Sequence, residues 1–223
     1  RGKEEYSVLI HPSSYRALSS AYYEEWIDAN RQKVNDLSEG KVAYAHMKNM
    51  GGGELNQFMM TMTRELKNKK GLILDLRYNT GGNVHDNVLR FLQQKTYLNW
   101  KSREGKMANQ SNFAPSDYPI ILLINEQSLS DAEMTAAGFK ELKLGTIVGV
   151  ETYRWIIFTS GMGLVDGSFH RLPGWGCYTL DGDNLERTGV APDVVVRQNF
   201  VDRLKDIDPQ IEKAIELIKM KWD

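Results

Sequence analysis

GLILDLRYN, residues 71–79, runs directly into TGGNV, residues 80–84. Leu72, Ile73, Leu74 and Leu76 make a nearly continuous apolar run. A strand with water on one face alternates apolar and polar side chains, whereas a run of this kind suits a strand covered on both faces, as in parallel sheets. Gly81 and Gly82 then turn the chain, and VHDNVLRFLQQ, residues 84–94, continues with helical spacing. The unit of strand, turn and helix recurs downstream. IILLI at 120–124 reads as strand, 130–142 as helix and 146–150 as the next strand. Strands alternating with helices indicate an α/β domain, with mostly parallel strands and right-handed crossover helices.

Working outward, KVAYAHM at 41–47 alternates like a strand, and Gly51, Gly52 and Gly53 mark a mobile turn. In the helix that follows, Leu55, Phe58, Met59, Met62 and Leu66 form a stripe that reads as core rather than as a cofactor face. An amphipathic helix is expected over about 17–34, with Ser19 or Ser20 as its N-cap and Tyr22, Trp26, Ile27 and Val34 near helical spacing. After Val150, glycines at 161, 163, 167, 174, 176 and 182 with aromatics between them suggest β-hairpins and loops over the sheet. The last segment, DPQIEKAIELIKMKW, places Asp208 as N-cap and Pro209 at the first helical position, with Ile211, Ala214, Ile215 and Ile218 on one face. It reads as a docking C-terminal helix. RGKEEYSVLIHP, residues 1–12, alternates like a strand and enters in mid-architecture, so the sequence is expected to be a piece of a longer protein.

The chain has 223 residues, a formal charge of -1, and 41% hydrophobic and 10% aromatic residues, which suits a globular domain with a sizeable core. Its basic residues are dispersed, which disfavours nucleic acid or an anionic membrane as partner. No apolar run approaches the ~20 residues of a membrane span. Cys177 is the single cysteine, and no Cys/His spacing suggests a metal. No cofactor is expected, since neither a dinucleotide fingerprint nor a phosphate loop is present.

In open α/β sheets, reactive groups collect beyond the carboxyl ends of the strands. Two turns stand there. NEQSLSDAE, residues 125–133, puts Ser130 at a helix N-terminus, where the dipole and the Asp131 N–H favour developing negative charge, as an acyl-transfer nucleophile needs. The plainer reading is that Ser128 or Ser130 caps the helix. The glycine turn could supply the matching backbone donor, or merely a positive φ. A serine nucleophile needs a base. Of His11, His46, His85 and His170, His46 is best positioned, on a strand, although a structural role is the simpler reading. The loop after Val150 offers no lysine, and Glu186 looks like an ordinary solvated carboxylate.

KVAYAHMKNMGGGELNQF, GLILDLRYNTGGNVHD, NEQSLSDAE, GTIVGVETYRW and LERTGVAPDVVV, in this order, resemble the catalytic core of tricorn-type serine peptidases, within the tail-specific, C-terminal processing peptidases. The resemblance covers residues 22–196. It implies a crotonase- or Clp-protease-like core over 41–223, a linking helix over 16–40, and the end of a PDZ-like domain at 1–15. It further implies Ser130 as nucleophile, Gly81 or Gly82 with Asp131 as oxyanion donors, and Glu186 as the carboxylate completing the charge network. The family's catalytic histidine follows a serine upstream of the PDZ domain, and no Ser-His pair occurs here, so the base is expected outside this chain. His46 matches a histidine that is not catalytic in the family, which leaves it as a possible base within the fragment. An acidic pocket residue of the family would be sought in TYLNWKSREG, residues 96–105, whose only acid is Glu104. The implied partner is a peptide or unfolded protein, in a possible homo-oligomer. The compartment would be cytoplasmic by the tricorn resemblance, or extracytoplasmic as in many bacterial relatives. The alternative is a non-catalytic peptide- or ligand-binding module of the same fold, suggested by the missing base and the aromatic-rich segment 153–178.

Overall fold

The computed structural model describes residues 7–111 and 113–222. Its helices are α1 (Tyr15–Leu37), α2 (Gly52–Glu65), α3 (His85–Leu92), α4 (Asp131–Glu141), α5 (Leu185–Thr188), α6 (Phe200–Leu204) and α7 (Pro209–Lys219). The strands are β1 (Val42–His46), β2 (Gly71–Asp75), β3 (Leu98–Lys101), β4 (Met107–Gln110), β5 (Ile120–Ile124), β6 (Thr146–Gly149), β7 (Ile157–Gly163), β8 (Phe169–Gly176) and β9 (Val194–Val195).

Five strands form one parallel sheet in the order β1-β2-β5-β6-β9. Alternation along each strand sends Ala43, Ala45, Leu72, Leu74, Leu122 and Ile147 to one face, where α2, α3 and α4 pack through Phe58, Met62, Val88, Leu92, Ala136 and Phe139. Val42, Tyr44, Ile73, Ile121, Leu123 and Val148 point to the other face, against Ile27 and Val34 of α1 and Ile211, Ala214 and Ile218 of α7. Burial on both faces is why residues 71–76 and 120–124 carry so little polar alternation. Parallel pairing brings the carboxyl ends of β1, β2, β5 and β6 to one edge. Two antiparallel hairpins, β3–β4 and β7–β8, stand outside the sheet.

Several boundaries differ from the sequence expectation. α1 is capped by Ser14, whose Oγ accepts from Ala17 N at 3.2 Å, not by Ser19 or Ser20. The cap lies earlier because the first turns are solvent-facing, with Tyr15 and Tyr22 exposed, so the apolar spacing does not mark the helix start. Gly51 is the N-cap of α2, and Gly52 and Gly53 lie in its first turn, where unpaired N–H groups lessen the cost of glycine. Met59 is turned out of the stripe while Phe58, Met62 and Leu66 are buried. Of the strand expected at 1–12, residues 1–6 lie outside the described residues, and 7–12 pair with no other strand and are exposed. A strand needs a ladder partner, which alternation alone does not supply.

The α7 side is pinned by a buried ion cluster. Arg77 donates from Nε and Nη2 to the two oxygens of Asp75 (2.9 and 2.7 Å), and from Nη1 to Asp208 Oδ2 (2.7 Å) and Gln210 Oε1 (3.0 Å). Tyr44 OH donates to Asp75 Oδ2 at 2.8 Å. Asp208 also caps α7 through Gln210 N and Ile211 N, so a single carboxylate joins the helix start to the end of β2. Burial alone would raise the Asp75 pKa, but the Arg77 charge and hydrogen bonds outweigh it and hold the carboxyl below its usual range. A depressed carboxylate contributes stability above its unfolded pKa of ~4, and that stability is lost as pH falls through the folded value. Arg77→Met strands two buried carboxylates and is expected to cost about 3–5 kcal/mol in urea denaturation at pH 7. The deficit relative to the parent should shrink at acid pH, where the carboxylates are protonated.

Candidate active site

Beyond β2 the chain is stitched to the exits of both neighbouring strands. Asn79 is buried, its Nδ2 donating to Met47 O (2.7 Å) while its Oδ1 accepts from Gly81 N (2.9 Å). Met50 N donates to Gly81 O and Asn83 N to Met50 O, each at 2.8 Å. The turn comes so close that a Cβ on Gly82 would lie 2.1 Å from Met50 O, and one on Gly81 would lie 2.7 Å from Ser130 Cβ. Glycine is required at both positions by contact as well as by their positive φ.

At the end of β5, Ser128 is buried, accepting from Asn125 N (3.0 Å) and donating to Leu76 O (2.8 Å). It holds the β5 exit against the β2 exit. Ser130 follows at φ 56° and ψ -117°, a conformation that costs a non-glycine residue roughly 1–3 kcal/mol. A strained serine between a strand and a helix is the device by which α/β-hydrolases expose a nucleophilic Oγ. Ser130 and Glu133 form a capping box in which Ser130 N donates to Glu133 Oε1 at 3.0 Å and the Glu133 N–H faces the Ser130 side chain, while Oγ donates its own hydrogen to no acceptor among the described residues. The N-cap reading therefore holds for Ser130 and still leaves its hydroxyl hydrogen uncommitted.

Two buried carboxylates in the first turn of α4 hold this conformation. Glu133, fully buried, also accepts from Thr152 Oγ1 (2.6 Å), Arg154 N (2.8 Å) and Trp155 N (2.8 Å), which ties Ser130 to the chain leaving β6. Asp131 accepts from Val84 N (2.7 Å), His85 N (3.0 Å) and His85 Nδ1 (2.5 Å), so its carboxylate sits on the N-terminus of α3 and fixes the far end of the glycine turn. Glu133 escaped the sequence reading, although Ser-Asp-Ala-Glu at 130–133 has the capping-box spacing that signals it.

Gly81 N is committed to Asn79. Among the described residues, Gly82 N and Asp131 N donate to no protein acceptor, so of the two glycines Gly82 is the one whose N–H is uncommitted. Ser130, Thr80, Gly81 and Gly82 line one side of a cleft of about 730 Å³, and Trp155, Ile157, Thr159 and Arg171 line the other. Cys177, the other nucleophile nearby, is half-buried, and burial followed by the Glu133 charge pushes its thiol up, away from a reactive thiolate.

The structure does not bring His46 to Ser130. The His46 side chain is fully buried beside Trp26 and Tyr23, its Nε2 2.7 Å from Tyr23 OH, and it lines no part of the cleft. Its ring is thus packed on the α1 side of the sheet rather than in the cleft that Ser130 lines. His85 faces Asp131, and His11 and His170 are exposed. Glu186 is exposed on α5 and forms no ion pair among the described residues. Glu104 lies in the β3–β4 turn, outside the cleft. Among the described residues, no group of three or more His, Cys, Asp or Glu side chains could hold a metal ion. No helix among them is long and apolar enough to cross a membrane.

Comparison with known proteins decides the family. The profile of peptidase family S41 matches residues 41–196. This chain belongs to peptidase family S41. It is 32% identical over 205 residues to the tricorn protease of Thermoplasma acidophilum, a match spanning 88% of the chain and 18% of that protein. A tricorn protease homolog of Saccharolobus solfataricus is 30% identical over 197 residues, covering 87% and 18% respectively. The crystal structure of the tricorn protease superposes with a TM-score of 0.80 at 32% identity, over 89% of this chain and 20% of the other. The photosystem II D1 C-terminal processing protease shares the fold, with a TM-score of 0.57 at 24% identity over 70% of this chain and 42% of the other. The S41 chain thus spans about a fifth of the length of the tricorn relatives it matches.

Two measurements test this geometry. Glu133→Gln turns an acceptor into a donor facing N–H groups, and should lower the stability of this chain by about 1–3 kcal/mol in urea denaturation. Burial, the largest influence on His46, lowers its pKa to about 4. Because the unfolded imidazole titrates near ~6.5, stability fully present above that pH is lost as pH falls towards 4, and the His46 NMR ring resonances should stay unshifted down to about pH 5.

Proposed function

We propose that this chain is the nucleophile-bearing part of a serine peptidase. Ser130 Oγ attacks the carbonyl carbon of a peptide bond, giving up its proton to a histidine supplied from outside the residues of this chain, as the resemblance to tricorn-type peptidases suggests. The carbonyl oxygen becomes an oxyanion that accepts from Gly82 N and Asp131 N. The intermediate collapses as the same histidine protonates the departing amine, leaving an ester on Ser130. Water, deprotonated by that histidine, then attacks the ester, and the histidine returns the proton to Ser130 Oγ as the acid is released. Glu186, reaching from α5, orients or charges the histidine from the side away from Ser130. Peptides are the substrate class that suits a cleft with backbone donors beside a serine.

The observation that carries this reading is the Ser130 backbone, φ 56° and ψ -117°, held by buried carboxylates at a helix N-terminus. A mere cap gains nothing from such strain, whereas a nucleophile gains an exposed Oγ beside unpaired N–H groups. In the full-length protein, Ser130→Ala should lower kcat on unstructured peptides by at least about a thousand-fold with little change in KM. Equal hydrolysis by parent and variant would leave a peptide-binding module as the better account.

A further inference from the structure

The wall of the cleft opposite Ser130 is one face of the β7–β8 hairpin. Arg171 pairs with Gly161 and Pro173 with Thr159, so Thr159 and Arg171 lie two positions apart on the same face. Both border the cleft, together with Ile157. Arg171 donates from Nε (3.0 Å) and Nη2 (2.5 Å) to Thr159 Oγ1, which fixes the plane of the guanidinium. Of its five N–H groups, three remain after these two bonds. Among the described residues no carboxylate lies within ion-pair distance of it. The nearby acid, Glu133, is fully buried and saturated by four donors.

Among the described residues, the lining of the cleft therefore includes one charged side chain, a cation with an open planar fork, and no acid. Glu104, the one acid in the segment where the family's acidic pocket residue was sought, lies in the β3–β4 turn and does not line this cleft. A guanidinium presents its N–H groups in the geometry that matches the two oxygens of a carboxylate, and charge-assisted bonds of this kind are about twice as strong as neutral ones. We propose that Arg171, anchored by Thr159, is a specificity residue that binds a carboxylate of the substrate beside the scissile bond. That carboxylate comes from an Asp or Glu side chain or from the free C-terminus of the peptide. The inference rests on Ser130 being the nucleophile of a peptidase, since it gives that site its substrate class.

Three peptides of matched sequence separate the sources: one with Glu near the scissile bond and an amidated end, one with Gln and an amidated end, and one with Gln and a free C-terminus. Full-length protein should hydrolyse the Glu peptide, the free-end peptide or both with a kcat/KM about ten-fold or more above the neutral peptide. Which of the two is favoured identifies the carboxylate. Arg171→Met should bring the ratio to about one, and Arg171→Glu should invert it towards a Lys-containing peptide, a gain that misfolding cannot produce. Equal kcat/KM for the three peptides, or a preference that survives Arg171→Met, would overturn the proposal. If no peptide is hydrolysed, the peptidase reading fails on its own. The same ratios are then read as Kd by fluorescence anisotropy on the Ser130→Ala protein, where a carboxylate preference lost in Ser130→Ala/Arg171→Met supports the subsite and its absence overturns it.

Discussion

Ser130 stands at a positive φ that a serine adopts only when its surroundings impose it, and Glu133 imposes it. One buried carboxylate collects the Ser130 N–H, the Thr152 hydroxyl and the N–H groups of Arg154 and Trp155, so the serine, the first turn of α4 and the chain leaving β6 are fixed together. Burying a carboxylate is costly unless its oxygens are met by donors, and here four donors meet it. Asp131 does the same on the other side, binding the N-terminus of α3 and thereby the end of the glycine turn. The two acids face opposite ways from one helical turn, and the serine lies between them.

This arrangement requires the sheet. Because β1, β2, β5 and β6 are neighbours and parallel, the four segments that leave their carboxyl ends meet at one edge, and the site is assembled from all four. Met50 supports the glycine turn from the β1 side, Asn79 and the glycines come from β2, Ser128 and Ser130 from β5, and Thr152 to Trp155 from β6. On the opposite face, Arg77 with Asp75 and Asp208 locks α7 to the end of β2. The rigid elements of the fold therefore reach the serine through short hydrogen-bonded segments, which suits a group that must be positioned before it reacts.

Much of this could be read from residues alone. The runs at 71–76 and 120–124 revealed strands covered on both faces, and Asp208-Pro209 gave the start of α7 to the residue. The cap of α1 could not be found, because the apolar side chains of its first turns face solvent. The β3–β4 hairpin left little mark, since Leu98, Trp100 and Met107 point outward and bury almost nothing. The positions of Ser130 and the glycine turn between strand and helix were legible. The roles of the Asp131 and Glu133 carboxylates were not, because their partners at 84–85 and 152–155 are distant in sequence. His46 attracted notice by its place on a strand, which does not reveal that its ring packs against Trp26 and Tyr23 on the α1 face.

The central claim is that Ser130 is held so that an oxyanion formed on it meets Gly82 N and Asp131 N. The direct measurement is a crystal structure of the full-length protein after reaction with a peptidyl phosphonate. The account predicts phosphorus bonded to Ser130 Oγ, with one phosphonyl oxygen about 2.7–3.1 Å from both nitrogens. An adduct on another residue, or an oxygen on Ser130 that meets neither N–H, would contradict it.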